Sequence, residues 1–447
     1  MRRLVPAALT VSILGAAAAR AGEAAAATVP SAPGIDFGNT AWVLMSAALV
    51  MVMTPALALF YGGLVKRKNV LSVLMQCFAI LMVVSLQWVA FGYSLAFGPG
   101  HGPLAGLIGG LDWVMLKGVG LGPSPYYISQ AGARVPHLAF VIFQAMFAVI
   151  TPALIIGAFA ERIKFSAFLV FTLLWVTLVY DPVAHWVWSA DGWLYKLGAL
   201  DFAGGTVVHI NAGVAALVTA IMVGRRRYLR PAPPHNLTYT MLGASLLWFG
   251  WFGFNAGSAL AADGLAASAF VVTNTAAATA GLTWAALDWL LTRRPTVLGA
   301  VTGAVAGLVA ITPAAGYVGV GGAMVIGLVA SDLCYLFVVA VKPRLGYDDT
   351  LDAFGVHGVG GIWGAIATGI FATPAIQPAY NGLLSGNPRQ VLTQLVATGV
   401  TIVYAGAMTF VLFKLVDLAL GVRVSEREEA MGLDVTQHNE RAVTIVE

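Results

Sequence analysis

Residues 201–209 read Asp201-Phe202-Ala203-Gly204-Gly205-Thr206-Val207-Val208-His209, and a shorter echo follows far downstream in Asp352-Ala353-Phe354-Gly355-Val356-His357. Each stretch carries an Asp, then Phe and Gly, then a His at the start of a helix built from small residues. Both lie inside long apolar runs. An imidazole in such a run is expensive to bury unless it does something there, and two of them in matching contexts point to a paired site rather than to two unrelated core residues.

The runs around these stretches set the fold class. Hydrophobic residues make up 59% of the 447-residue chain and charged residues 10%, with a mean hydropathy of +0.85. Soluble domains carry roughly 25% charge, so this composition needs lipid as its outer solvent. The net charge of +4 is spread over short loops and is no nucleic-acid footprint. A span needs about 20 mainly apolar residues. Eleven stretches qualify, at approximately 40–64, 69–97, 136–159, 165–188, 204–224, 237–260, 265–291, 296–313, 317–341, 352–373 and 391–415. The expected fold is an all-α membrane protein of eleven transmembrane helices in one domain, residues 40–415, followed by a cytoplasmic tail, 416–447. Residues 1–21 read as a signal peptide, with Arg2 and Arg3 before an apolar core and Ala19-Arg20-Ala21 as the cleavage site. Residues 22–39, rich in Ala, Pro, Ser and Gly, read as a flexible extracytoplasmic tether.

The basic residues fix a direction. With the mature N-terminus outside and eleven crossings, seventeen Lys and Arg fall inside, and four (Lys117, Arg134, Lys196 and Arg389) fall outside. That asymmetry is the positive-inside pattern and puts the C-terminus inside. The two histidine stretches then occupy spans five and ten. Because five is odd, the second set of five enters from the opposite side, giving an inverted five-helix repeat plus one extra helix. Such folds place their site between the halves near the midplane.

Other intramembrane polar groups read less sharply. Asp201 and Asp352 precede spans five and ten as helix N-caps. Asp181 reads as a solvated boundary residue, and Asp288 as an ion-pair partner of Arg293 or Arg294. Asp332, deep in span nine beside Cys334, reads as a polar contact at a subunit or repeat interface. Cys77 and Cys334 read as small core residues. No thiolate or carboxylate cluster joins the histidines and no nucleophile–base motif is present, so neither a metal site, an enzyme nor a cofactor is expected.

At these residues the chain resembles the ammonium transporter (Amt/Mep/Rh) family, in its bacterial branch. The likeness runs from about residue 40 to 436 and is carried by Asp201 to Gly213, Leu59-Phe60-Tyr61-Gly62-Gly63-Leu64, Ala160-Glu161-Arg162, Trp251 to Ser258, Gly316-Tyr317-Val318-Gly319, Phe354-Gly355-Val356-His357-Gly358 and, in the tail, Gly432-Leu433-Asp434-Val435 with His438. Asn439 stands where the family usually has glycine. The resemblance implies a homotrimer in the cell (inner) membrane with one pore per subunit. Its site residues would be an ammonium recruitment site at Phe147, Trp188 and Ser258 supported by Asp201, a phenyl gate of Phe147 and Phe254, and twin histidines His209 and His357. Phe60 and Trp251 would line or support the pore, and Asp349 and Asp352 the cytoplasmic vestibule. The implied substrate is ammonium or ammonia, with methylammonium as an analogue, and the implied partner at the inner face is a PII signalling protein. Three uses of such a pore are open at this point: ammonia conducted with a separately moving proton, ammonia alone without net charge, and a sensor that signals through its tail. Only about 30 residues follow the last span, which favours transport over a pure sensor.

Overall fold

A computed structural model describes residues 34–126, 134–227 and 234–442. The expected signal peptide and most of the expected tether lie outside the described residues. Within them the chain is helical and contains only isolated bridges, no strands. Hydrocarbon offers no partner for a backbone N–H or C=O, so a helix, which satisfies them internally, is the form these apolar runs take.

Nine helices are long and apolar enough to cross a membrane among the described residues. They are α1 (Phe37–Leu64), α2 (Arg67–Phe97), α3 (His137–Phe159), α4 (Phe165–Leu197), α5 (Gly205–Val223), α7 (Gly264–Thr292), α9 (Val320–Leu345), α10 (Phe354–Phe371) and α11 (Arg389–Leu420). Two more helices fall on expected spans: α6 (Leu237–Gly257), less apolar, and α8 (Val297–Ile311), shorter. Two short tail helices follow, α12 (Glu426–Met431) and α13 (Leu433–His438). Side-chain caps open several of them, as where Asp36 accepts from Asn39 N–H at 2.7 Å and Asp263 from Leu265 N–H at 2.9 Å. Helix α3 is the centre of the bundle, with 89% of its apolar window buried, whereas α9 and α11 are peripheral at 33% each.

Helices α5 and α10 cross at their glycines. A Cβ on Gly213, four residues after His209, would lie 2.3 Å from Gly358 N, and one on Gly361, four residues after His357, would lie 3.0 Å from His209 Cβ. Each histidine helix thus uses its own glycine to let the other's histidine turn come close. Small residues permit such approach where no side chain could fit. Both histidines also sit in π-helical turns, Gly205–Ile210 and Phe354–Gly358. Such turns often mark functional positions.

The equivalence of Asp201 and Asp352 needs correction. The Asp201 carboxylate accepts from the N–H groups of Gly204, Gly205, Thr206 and Val207 at 2.7–3.1 Å. Its counterpart is Asp349, which accepts from Ala353 and Phe354 at 3.1 and 2.8 Å. Each capping carboxylate precedes its histidine by eight residues. Asp352 is instead a left-handed residue (φ 59°) whose side chain pairs with Lys342 at 2.5 Å. Asp181 is no boundary residue, being fully buried and accepting from Gln87 at 2.7 Å. Asp288 accepts from the Thr296 hydroxyl at 2.5 Å and not from Arg293 or Arg294. Asp332 lies on an outward-facing surface of α9. Cys77 and Cys334 are both buried and free.

Candidate functional site

The two imidazoles meet at the crossing of α5 and α10. Their Nδ1 atoms are 3.3 Å apart and the rings are nearly parallel, with centroids separated by 5.3 Å and an interplanar angle of 18°. Exposure is 1% for His209 and 5% for His357. Two neutral imidazoles sharing an Nδ1 to Nδ1 contact must hold opposite tautomers, one donating and the other accepting. Moving that proton from one Nδ1 to the other reverses the roles. The Nε2 atom of His209 has no protein partner. Trp251 and Phe254 stack on His209 at 5.5 and 6.0 Å, and Trp251 is itself held by its indole N–H donating to Thr312 Oγ1 at 2.8 Å.

On one side of the pair lies an aromatic mouth. Phe147 and Phe254 pack at 4.4 Å, and Trp188 stands edge-on to Phe147 at 5.7 Å. A cavity of about 260 Å³ outside this pair is lined by Phe147, Trp188, Ser258, Gln144 and Phe202, among others. The Ser258 hydroxyl donates to Phe254 C=O at 2.8 Å, which leaves its oxygen lone pairs free to accept from a ligand. The Trp188 indole N–H donates to the main-chain oxygen of Asp201 at 2.9 Å. Asp201 therefore orients the mouth through its backbone, while its carboxylate is fully spent on the turn that begins the His209 helix. Gly204, within that turn, has φ +117°, and a Cβ there would strike Val208 at 2.6 Å.

On the other side lies a second cavity, of about 370 Å³, lined by Phe60, His357, Val356, Asp352, Asp288 and Arg226, among others. The expected vestibule pair is thus split. Asp352 lines the cavity, and the Asp349 carboxylate is occupied in capping. Burial pushes the Asp352 carboxyl up to about 6, with the Lys342 charge pulling it back only in part.

Sequence reasoning missed the clamp around this second cavity. Arg226 binds Glu161 at 2.9 Å and Asp348 at 2.8 Å. Fully buried Arg162 donates to Gly224 C=O at 2.9 Å, to the Thr350 hydroxyl at 2.6 Å and to Asp348 C=O. The loops that precede α4, α6 and α10 are thereby tied together. The signal was visible as Glu161-Arg162 and Asp348-Asp349, charged doublets in a charge-poor chain. The tail closes over the same face. Glu429 accepts from Arg227 N–H at 2.6 Å and Arg423 at 3.0 Å, and Asn69 accepts from Leu433 N–H at 2.8 Å. Asn439 ends α13 in a left-handed conformation, φ 56°, a position glycine fills without strain and asparagine tolerates better than most residues.

Among the described residues no group of three or more His, Cys, Asp or Glu is placed to hold a metal ion.

Residues 41–443 match the model of the Ammonium Transporter Family. The chain is 52% identical to an ammonium transporter of Bacillus subtilis over 409 residues, covering 91% of this chain and 99% of that one. It is 48% identical to the ammonium transporter Amt1 of Archaeoglobus fulgidus, with the same two coverages. Among solved structures it is similar to Mep2 of Saccharomyces cerevisiae, with a TM-score of 0.82, 37% identity and 89% of each chain covered. It is also similar to a sensor Amt protein, with a TM-score of 0.81, 30% identity and coverage of 90% and 98%. With its helical bundle, its apolar surface and these relatives, the chain is a multi-pass membrane protein and belongs to the ammonium transporter family.

Proposed function

We propose that the chain recruits ammonium at the aromatic mouth, removes a proton there, and conducts ammonia past His209 and His357 while the proton follows separately along the imidazoles. The observation that carries this reading is the Nδ1 to Nδ1 contact of 3.3 Å, buried between an outer and an inner cavity. Aromatic faces stabilise a desolvated cation by about 2 kcal/mol each, and Phe147 and Trp188 present two such faces next to the free lone pairs of Ser258. Inside, the phenyl pair leaves an apolar constriction. A bare cation there would lose tens of kcal/mol of hydration by a low-dielectric estimate, and neutral ammonia would not.

The assay is solid-supported-membrane electrophysiology on proteoliposomes. An ammonium pulse on the wild type should evoke a transient current, and His209→Leu or His357→Leu should abolish it. A full current from either variant would sink the proton relay. Ammonia uptake without current in the wild type would instead support an electroneutral ammonia channel. A sensor role is the second reading, favoured by the likeness to the sensor Amt protein and by the tail clasped on the inner loops. Uptake by the purified chain at a rate set by the two histidines would refute a purely sensory role.

Eleven crossings, the inverted repeat, an outside N-terminus and an inside C-terminus complete the reading, with an inner-membrane location and a cleaved signal peptide. The reciprocal glycine contacts of α5 and α10 support the repeat. Assembly as a homotrimer is supported by Asp332, whose carboxylate faces outward from the middle of an apolar helix; acyl chains are poor company for it, and a neighbouring subunit covers it in this reading. Docking of a PII protein would use the tail and inner loops.

A further inference from the structure

Helix α11 is peripheral, with 33% of its apolar window buried, and it contributes nothing to the histidine pair. Its second turn nevertheless carries a buried amide. Gln394 is 1% exposed. Its Oε1 accepts from Leu200 N–H at 2.8 Å, and its Nε2 donates to Leu200 C=O at 2.7 Å and to Ala365 C=O at 2.9 Å. Gln390, one turn earlier, donates to Gly198 C=O at 2.9 Å and to Gln394 Oε1 at 3.4 Å. A primary amide has two donor hydrogens and two acceptor lone pairs, so every valence of this side chain is taken. Turned over, it would set its oxygen against two carbonyls. Its partners therefore fix its orientation.

The segment that the amide holds leads into the aromatic mouth. Gly198 follows the last turn of α4 in a left-handed conformation, φ 87°, and residues 198–204 belong to no helix. Leu200 is 3% exposed. Its N–H and C=O must be satisfied without water or a helical ladder, and both find their partner in Gln394. The Leu200 carbonyl and the Asp201 N–H share one peptide plane, so fixing the first fixes the entry to Asp201. From there Asp201 C=O accepts from the Trp188 indole at 2.9 Å, and its carboxylate caps the turn of His209. The remaining bond of Gln394 reaches the other histidine helix at Ala365, eight residues after His357.

We propose that Gln394 is a positioning residue for the outer mouth. It touches no ligand. It holds the Leu200–Asp201 peptide, and through it the Trp188 indole, in the place where the cation is received, and it braces that peptide against α10. A carboxylate could not replace the amide, because two of its three backbone contacts need a donor. This inference rests on the recruitment reading given above.

The test is solid-supported-membrane electrophysiology on proteoliposomes of the full chain, with the half-saturating ammonium concentration and the saturating current read separately. Gln394→Met keeps the length of the side chain and removes its hydrogen bonds. It should raise the half-saturating concentration by about 5-fold, below the roughly 30-fold that loss of one whole aromatic face would cost. The saturating current should stay within about 2-fold, as for loss of binding without loss of the later steps. Gln394→Glu, closer in shape and still able to accept from Leu200 N–H, should shift the concentration in the same direction and serves if the methionine variant fails to fold. Gln390→Met, whose bond to Gly198 lies at the surface, should shift it far less. Trp188→Phe removes the indole donor, so adding Gln394→Met to it should produce no further shift. Three results would overturn the proposal: an unchanged half-saturating concentration in the Gln394 variants, a lower saturating current with no shift in concentration, or independent shifts in the double variant. A wild type without a saturable current would sink the recruitment reading and this inference with it, whereas the other three leave that reading standing.

Discussion

Replacing Gly213 by alanine tests whether the closeness of the histidines is set by the glycine crossing beneath them. A Cβ at this position would lie 2.3 Å from Gly358 N and 2.4 Å from Gly358 Cα, against 3.4 Å or more for an ordinary contact. Both obstacles are backbone, so no side chain can swing aside. The helices must part by about 1 Å, and overpacking of this kind typically costs about 1–3 kcal/mol. Alanine returns up to ~1 kcal/mol through its better helix propensity, so the net loss should be about 1–2 kcal/mol. The same displacement carries the Nδ1 atoms from 3.3 Å to beyond about 4 Å, outside hydrogen-bond reach. A misplacement near 1 Å at a working site can lower a rate by up to about 100-fold. The expected outcome is a drop in thermal-unfolding midpoint together with an ammonium-evoked current reduced by about 10-fold or more. Gly399→Ala is the control, because nothing lies within 4 Å of a Cβ there. Gly361→Ala should be intermediate, its nearest contact being 3.0 Å. A Gly213→Ala protein with wild-type midpoint and current would refute the idea that this crossing positions the pair.

Two further outcomes follow from the capping and clamp geometry. Asp201→Ala frees four buried N–H groups and Asp349→Ala two. At about 1–3 kcal/mol for each orphaned group, thermal-shift measurements should rank Asp201→Ala as clearly the more destabilised, and equal or reversed shifts would reject the counting. The inner clamp should give an acid edge. Burial raises the Asp348 carboxyl, but the hydrogen bonds and charges of Arg226 and Arg162 outweigh it and hold it at about 2. A carboxylate depressed from its ordinary value near 3.9 adds stability above that value and loses it as pH falls toward 2, here about 2–3 kcal/mol. Asp352, lifted to about 6, acts in the opposite sense: it stabilises while protonated, and that contribution is lost as pH rises from about 3.9 to 6. The midpoint should therefore peak at about pH 4 and fall as pH rises toward 6. Arg226→Ala should blunt the acid limb and Asp352→Asn the alkaline one, and a pH profile untouched by either change would contradict the assignment.

The helices were legible because lipid leaves so few choices. A run of about 20 apolar residues must be a helix, and most expected runs coincide with one to within a few residues, as 69–97 does with α2 and 204–224 with α5, whereas α4 runs nine residues past the expected 188. The histidines were legible for a related reason, since an imidazole among Gly, Ala and Val has no cheap explanation. What the sequence concealed was register and direction. Asp352 has the residue pattern of Asp201, but position along the chain does not say where a carboxylate points. The turn at Asp352 is left-handed, which throws its side chain toward Lys342 and leaves the capping to Asp349, eight residues from its histidine as Asp201 is from the other. The eight-residue spacing was present all along; it is informative only once both carboxylates are known to bind the N–H groups of the turn that follows. Asp181 failed for a different reason. A span's edge read from hydropathy says nothing about whether a neighbouring helix covers it, and Gln87, from another helix, does. Polar groups whose partners lie far away in sequence are thus the ones hydropathy misplaces, and the Arg226, Glu161 and Asp348 clamp, joining residues 65 and 122 positions apart, is the largest such case. The apolar faces of the bundle can be read one helix at a time, whereas this clamp exists only where three loops meet.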